Sequence, residues 1–347
     1  MEDQIKKLLS QVIHPESGKD LISGNFLESI KINEERVVIT LAFPKGRDPF
    51  AIKIKKSVER MMGDSFPASI TTVVIKEGVT VKPKKEPQKS TTTKIGKVIA
   101  IASGKGGVGK STVTANLAVS LAARGFRVGL LDGDIYGPSM AKMFGVEDYL
   151  PDARVEDGVE CIVPAEVMGV KLISIALFIK PDDALLWRGT MACSALRQLI
   201  HQTLWGELDF LLIDLPPGTG DIYISLMSEL KPSAAIIVST PQQIALADVR
   251  RGVEMFRHKD VNVPIAGIVE NMAFFTPAEL PDNKYYIFGK GGAREYATKV
   301  DVPFLGEVPI IQSIMEGADG GKPASLVDSK VREYYDGIVD NLIVNIC

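Results

Sequence analysis

Gly104-Lys105-Gly106-Gly107-Val108-Gly109-Lys110-Ser111 decides how the rest of the chain is read. It fits the phosphate-binding pattern G-x-x-x-x-G-K-[ST]. Before it runs Lys97-Val98-Ile99-Ala100-Ile101-Ala102-Ser103, with the length and β-branching of a buried strand. After it, Thr112-Val113-Thr114-Ala115-Asn116-Leu117-Ala118-Val119 reads as the start of a helix. Strand, glycine loop and helix together are the context in which such a loop holds phosphate. The glycines let the backbone wrap closely with its N–H groups turned inward, and the helix N-terminus adds partial positive charge. Lys110 is expected on the β- and γ-phosphates and Ser111 on Mg²⁺.

Two acidic motifs belong with the loop. Asp209-Phe210-Leu211-Leu212-Ile213-Asp214 is an apolar strand ending in a carboxylate. That places Asp214 at the carboxyl end of a parallel strand, where open α/β sheets bind ligands and where a carboxylate can hold Mg²⁺. The glycine- and proline-rich Leu215-Pro216-Pro217-Gly218-Thr219-Gly220-Asp221 follows as a candidate switch beside the γ-phosphate. The second motif, Leu130-Leu131-Asp132-Gly133-Asp134-Ile135-Tyr136-Gly137-Pro138-Ser139, follows a predicted strand over 127–131. An aspartate before glycine, as Asp132 is, reads as a turn former. No histidine is needed, because phosphoryl transfer is mostly positioning and charge neutralisation.

A chain of 347 residues predicts two or three domains. A net charge of −3 gives no nucleic-acid-binding field. No apolar run reaches the ~18–20 residues that span a bilayer, and the N-terminal residues lack a signal peptide's apolar core. A cytoplasmic protein is therefore expected, with neither membrane nor nucleic acid as partner. Cys161, Cys193 and Cys347 are too few and too scattered for a disulfide scaffold or a local metal motif. Cys161 and Cys193 read as plain core cysteines.

Residues 1–80 read as a small α+β domain of order αββαβ. Its first helix carries Ile5, Leu8, Leu9 and Val12 and ends at His14-Pro15. Strands follow at 27–32 and 36–41, then a helix at 49–62 and a strand at 69–75. Residues 81–95, rich in Lys, Pro, Ser and Thr, read as a mobile linker. From 96 to 347, strands at 234–239 and 265–270 alternate with helices at 183–204, 221–230 and 241–257. That predicts a mostly parallel sheet flanked by helices on both faces. The amphipathic stretch 326–343 reads as a helix packed on its own domain. Asp328, Glu333, Asp336 and Asp340 on its polar face disfavour a membrane-binding tail.

The early lysine narrows the class. With Lys105, the loop resembles the deviant Walker A motif K-G-G-x-G-K-[ST] of the P-loop ATPases that include MinD, ParA, the nitrogenase iron protein and the Mrp (ApbC) proteins. The resemblance is closest to the Mrp branch and covers nearly the whole chain. It rests also on Trp187-Arg188-Gly189-Thr190-Met191, Ser239-Thr240-Pro241-Gln242, Val269-Glu270-Asn271-Met272 and Gly306-Glu307-Val308-Pro309. Residues 1–80 resemble the SufT-like domain that precedes many Mrp-type ATPases.

The resemblance implies an ATP- and Mg²⁺-dependent ATPase that works as a homodimer. Gly104 to Ser111, with Thr112, would hold the nucleotide, Lys105 reaching the partner subunit's nucleotide. Asp134 would orient the attacking water, Asp132 would support the Mg²⁺ shell with Ser111 and Asp214, and Asn271 would contact the base. A solvated loop lysine and a strand-end turn remain the alternatives for Lys105 and Asn271.

The resemblance further implies carriage of a 4Fe–4S cluster to apo-protein clients or assembly partners. Family members hold the cluster between subunits by a Cys-x-x-Cys just after the Glu-Asn-Met. Here that stretch is Ala273-Phe274-Phe275-Thr276-Pro277-Ala278-Glu279-Leu280-Pro281, without cysteine. The loop at 43–49, where the SufT-like domain often has a cysteine, also lacks one. Cys193 and Cys347 are the remaining thiolate candidates. Two other readings stay open: an ATPase of this fold acting on a protein partner without a cluster, and a ParA- or MinD-like positioning ATPase.

Overall fold

The computed structural model describes residues 2–33, 36–43, 46, 48–66, 70–78, 94–156, 159–178, 189–218 and 221–346. The linker at 81–93, Trp187-Arg188, Thr219-Gly220 and Cys347 lie outside these residues. The chain divides into two compact units, Met1–Gln88 and Lys89–Cys347.

The first unit runs α1 (Glu2–Leu9), β1 (Leu27–Asn33), β2 (Arg36–Phe43), α2 (Ala51–Ser65) and β3 (Ile70–Glu77). β1 and β2 form an antiparallel hairpin, and α2 carries the chain across to β3, which runs parallel to β2. Alternation along β2 buries Val37, Ile39 and Leu41, and helical spacing along α2 buries Ala51, Ile54, Val58 and Met62 against them. The first helix stops at Leu9, short of His14-Pro15. Residues 12–21 instead close into a tight loop. Ile13 bridges Asp20, and His14 Nδ1 accepts the N–H groups of Glu16 and Ser17. His14 Nε2 lies 3.2 Å from Asp48 Oδ2, and its ring stacks on Phe26.

The second unit begins with β4 (Lys94–Ser103), α3 (Lys110–Ala123), β5 (Val128–Asp132) and the single turn α4 (Met140–Met143). The hairpin β6 (Ala153–Glu156) and β7 (Val159–Ile162) follows, then β8 (Ala165–Val167), β9 (Val170–Ser174), α5 (Gly189–Gln202), β10 (Glu207–Asp214) and α6 (Asp221–Leu230). The chain closes with β11 (Ala234–Ser239), α7 (Gln243–Arg257), β12 (Ile265–Phe275), α8 (Gly292–Lys299), β13 (Phe304–Ile310), α9 (Gln312–Asp319) and α10 (Ser329–Ile346).

Eight strands form one sheet in the order β13-β12-β11-β4-β10-β5-β9-β8, parallel except at the β8–β9 edge. Its central strands are apolar on both faces, as a sheet covered on both sides requires. Along β4, Ala100 and Ala102 face a layer built with α5, α6 and α7, while Ile99 and Ile101 face α3 and α10. Every residue of α3 from Val113 to Leu121 is buried, so this helix lies inside the unit. Val331, Tyr335, Ile338, Val339 and Leu342 commit the apolar face of α10 to the same layer, and Asp336 and Asp340 bind Arg124 of the α3 C-cap. No described helix is long and apolar enough to cross a membrane. The chain leaves β4 for β5 in one direction and later adds β11 on its other side. The loop after β4 therefore sits at a topological switch point, where open α/β sheets form a ligand crevice.

Candidate nucleotide site

β4 ends at Ser103, and α3 begins at Lys110. The six residues between turn the chain through two left-handed positions, Gly107 and Gly109, both at φ +79°. Crowding also explains two of the glycines. A Cβ on Gly109 would lie 2.2 Å from Asn271 Nδ2, and one on Gly104 would lie 2.4 Å from the Asp248 backbone. A Cβ on Gly106 or Gly107 would meet nothing within 4 Å, because these residues border open space. Residues 105–112, with Asp134, Ser139 and Pro217, line an open cleft of about 240 Å³. Lys105 is half-buried on this cleft, and among the described residues its ammonium has no carboxylate partner.

Beneath the loop, parallel register brings the acidic motifs together. Asp214 on β10 lies opposite Asp132 on β5, and Asp132 lies opposite Ser174 on β9. Asp214 is fully buried and carries three partners. Lys110 Nζ is 2.7 Å from Oδ2, Ser111 Oγ donates to Oδ2 at 2.6 Å, and Thr114 Oγ1 lies 2.8 Å from Oδ1. Thr114 Oγ1 is also 2.9 Å from the Lys110 carbonyl oxygen. Its single proton favours the carboxylate, the charged acceptor. Thr114 escapes sequence reasoning, although a polar residue one helical turn after Lys110 on a buried helix was a usable signal.

Asp132 is fully buried and supplied with donors on both oxygens. Oδ1 accepts Asp134 N–H at 3.2 Å. Oδ2 accepts the N–H groups of Ser139 and Met140, each at 3.1 Å, and Ser174 Oγ–H at 2.9 Å. Burial pushes its carboxyl up to about 7, the Asp214 carboxylate adding to the effect. These contacts match the turn-forming alternative: Asp132 shapes residues 133–140 and caps the first turn of α4. Asp134 hangs half-exposed over the cleft, and its Oδ1 accepts Gly137 N–H at 3.3 Å. Burial raises its carboxyl above the usual range, and the Lys110 charge opposes that.

Asn271 ends the regular part of β12. Its Nδ2 donates to the Val108 carbonyl at 2.9 Å, so the amide braces the glycine loop from behind. The neighbouring Glu270 accepts Ala293 N–H at 2.6 Å in the first turn of α8. Beyond Asn271 the strand runs on to Phe275, which bridges back to Tyr285, and Phe275, Leu280, Tyr285, Tyr286 and Ile287 are exposed there. The described cysteines stand apart from this region. Cys161 is fully buried on β7, and Cys193 is half-buried on α5 beside Leu226 and Glu229 of α6. Among the described residues no group of three or more His, Cys, Asp or Glu is placed to hold a metal ion.

Comparison with known proteins agrees with this geometry. Residues 94–343 match the ParA family, described as NUBPL iron-transfer P-loop NTPase, and residues 2–74 match a family described as iron–sulfur cluster assembly protein. The iron–sulfur cluster carrier protein of Synechocystis sp. is 38% identical over 321 residues, covering 92% of this chain and 90% of the relative. The crystallised nucleotide-binding protein from Archaeoglobus fulgidus, in complex with ADP, superposes with a TM-score of 0.58 at 40% identity, covering 66% of this chain and 88% of that one. The cell division ATPase MinD of Pyrococcus furiosus superposes with a TM-score of 0.51 at 26% identity, covering 72% and 98%.

Proposed function

The chain belongs to the ParA family of NUBPL iron-transfer P-loop NTPases, and on that premise we propose an ATP-switched carrier that delivers iron–sulfur clusters to apo-protein clients. The observation that carries the nucleotide half is the knot of Lys110, Ser111 and Thr114 on the buried Asp214, under a glycine loop that borders open space. The cluster half rests on the carrier relative, matched along nearly its full length, and on the cluster-assembly match of residues 2–74.

The residues present suit Mg²⁺–ATP. Ser111 Oγ and Asp214 Oδ2 are hard oxygen donors at one point, as Mg²⁺ prefers. Bound there, Mg²⁺ would neutralise charge on the phosphates. Lys110 has the reach to exchange its bond to Asp214 for phosphate oxygens. The N–H groups of the loop cradle the same anion, helped by the α3 N-terminus. Asp134, the half-exposed carboxylate over the cleft, orients the attacking water, and Asp132 sets where Asp134 stands. Lys105, on the rim and free of a carboxylate partner among the described residues, serves the nucleotide of a second copy in a homodimer. Asn271, besides bracing the glycine loop through the Val108 carbonyl, contacts the base of the nucleotide.

The cluster is cargo. A 4Fe–4S cluster takes four ligands, so two cysteines from each of two subunits suffice by symmetry. Cys193 and Cys347 are assigned this role, because Cys161 is fully buried. The test is anaerobic reconstitution with iron and sulfide, followed by absorbance, labile-iron assay and transfer to an apo-acceptor enzyme. A cluster that transfers, and that is lost in Cys193→Ser/Cys347→Ser, is expected. One specific observation favours a second reading. Among the described residues no group of three or more His, Cys, Asp or Glu is placed to hold a metal ion, while exposed apolar residues gather at 275–287, as suits an ATPase acting on a protein partner without holding a cluster itself. Robust ATPase activity with no cluster after reconstitution selects that reading.

A further inference from the structure

Glu270 is buried to 1% exposure in the sheet, with Ser239 opposite on β11 and Glu307 opposite on β13. A buried carboxylate is costly unless it is matched by donors. Its match is the start of α8, where Ala293 N–H donates at 2.6 Å and the helix N-terminus adds partial positive charge. The Arg294 backbone N–H and positive charge also favour this carboxylate, and the Arg294 guanidinium lies 3.6 Å from Glu307 as well. The anchored end of α8 fits closely against the edge of the sheet, since a Cβ on Gly292 would lie 2.4 Å from the Pro241 carbonyl oxygen.

The next residue along β12 is Asn271. Its position is constrained on both sides. Glu270 pins the strand to α8, and Met272 turns away at φ +57°, a left-handed conformation that a methionine keeps only when its surroundings enforce it. Regular pairing with β13 breaks off at this point. The Asn271 amide holds the Val108 carbonyl at 2.9 Å. In a trans peptide the N–H points opposite to the C=O. With the Val108 carbonyl held back toward β12, the N–H of Gly109 is turned the other way, and Gly109 lines the cleft.

We propose that Glu270 is a positioning residue for the nucleotide site: by anchoring α8 to the carboxyl edge of the sheet, it keeps the Asn271 amide on the Val108 carbonyl and the glycine loop in its phosphate-binding conformation. The inference rests on reading the cleft as the ATP site.

The test is steady-state ATP hydrolysis by Glu270→Ala, Asn271→Ala and the double variant, with melting temperatures alongside. Glu270→Ala should raise KM for ATP about tenfold with kcat within about twofold, the size expected for one charge-assisted hydrogen bond. Asn271→Ala should do the same. The double variant should be no worse than Asn271→Ala, because the two side chains act in series. Glu270→Gln keeps an acceptor oxygen for Ala293 N–H and should restore KM. Should Glu270→Ala not fold, Glu270→Asp replaces it. Aspartate keeps the charge and shortens the arm, so a smaller rise in KM, absent in the Asn271→Ala background, is expected. A melting temperature that falls while KM stays at the parent value would assign Glu270 a purely structural role and overturn the inference, as would multiplicative effects in the double variant. A parent protein that does not hydrolyse ATP, or a Lys110→Ala protein that hydrolyses it normally, would overturn the site reading itself and this inference with it.

Discussion

Lys110 and Asp214 form an ion pair with side-chain exposures of 6% and 0%, so removing the lysine alone should be costly even without nucleotide. Lys110→Ala strands a carboxylate that has no access to water. Breaking one side of a buried pair costs about 3–5 kcal/mol. Asp214 keeps two hydroxyl donors, Ser111 at 2.6 Å and Thr114 at 2.8 Å, which places the loss near the lower end, about 3 kcal/mol. For a unit of this size that is a fall in Tm of about 6–12 °C. The assay is calorimetry of nucleotide-free protein, following the transition that Mg²⁺–ADP raises in the parent. Asp214→Asn in the Lys110→Ala background removes the stranded charge and leaves an amide that Ser111 and Thr114 can both satisfy, so most of the lost Tm should return. Neither variant binds nucleotide well, so stability is the readout. A Lys110→Ala protein melting within about 1 °C of the parent, or a double variant melting no higher than the single, would refute the argument that the lysine compensates this buried charge.

If Asp134 orients the attacking water, Asp134→Asn should bind ATP like the parent and hydrolyse it far more slowly; parental turnover in a single-turnover assay removes it from the mechanism. If Lys105 serves the neighbouring subunit, mixing Lys105→Ala with excess Lys110→Ala protein should restore part of the ATPase activity, since each heterodimer keeps one complete site. Continued inactivity in mixtures proven to exchange subunits argues against that arrangement. Asp132 gives a pH signature. Its folded carboxyl titrates at about 7, above its unfolded value, so its contribution to stability is full below about pH 4 and is lost as pH rises through 7. The three-unit gap corresponds to up to about 4 kcal/mol. Urea unfolding of Asp132→Asn should therefore show a flatter stability profile than the parent between pH 4 and 7, and parallel profiles would contradict it.

The local grammar of the chain was sufficient for a good deal. The glycine spacing at 104–111, the apolar run before it and the helix after it specify the phosphate loop, because φ > 0 positions, β-branched runs and helix starts are short-range properties. The same is true of the carboxylate closing β10 and of the αββαβ order of residues 1–80, where period-2 and period-3.6 patterns need no distant partner. Local signals were weaker at element ends. The helix expected to reach His14-Pro15 stops at Leu9, because residues 12–21 find better partners in their own loop. The segment read as linker to residue 95 gives up Lys94 and Ile95 to β4, because β10 is there to pair with them.

What the sequence by itself determined, then, is which residue types stand at the phosphate loop and which strands end in carboxylates. Tertiary structure decided what those groups do to one another. Asp132 and Asp214 are 82 positions apart and meet only because β5 and β10 pair in register. Thr114 reaches Asp214 across a hundred residues, and Asn271 reaches Val108 across 163. The donors to Asp132 Oδ2, from Ser139, Met140 and Ser174, are brought to it by the switch loop and by β9, and Ser174 stands 42 positions away in sequence. How far each described cysteine is buried also depends on packing: Cys161 is fully buried on the β6–β7 hairpin, and Cys193 is half-buried beside Leu226 and Glu229 of α6. Contacts of this range are set by strand order and by the packing of helices on two faces, and these are properties of the assembled sheet that no local pattern encodes.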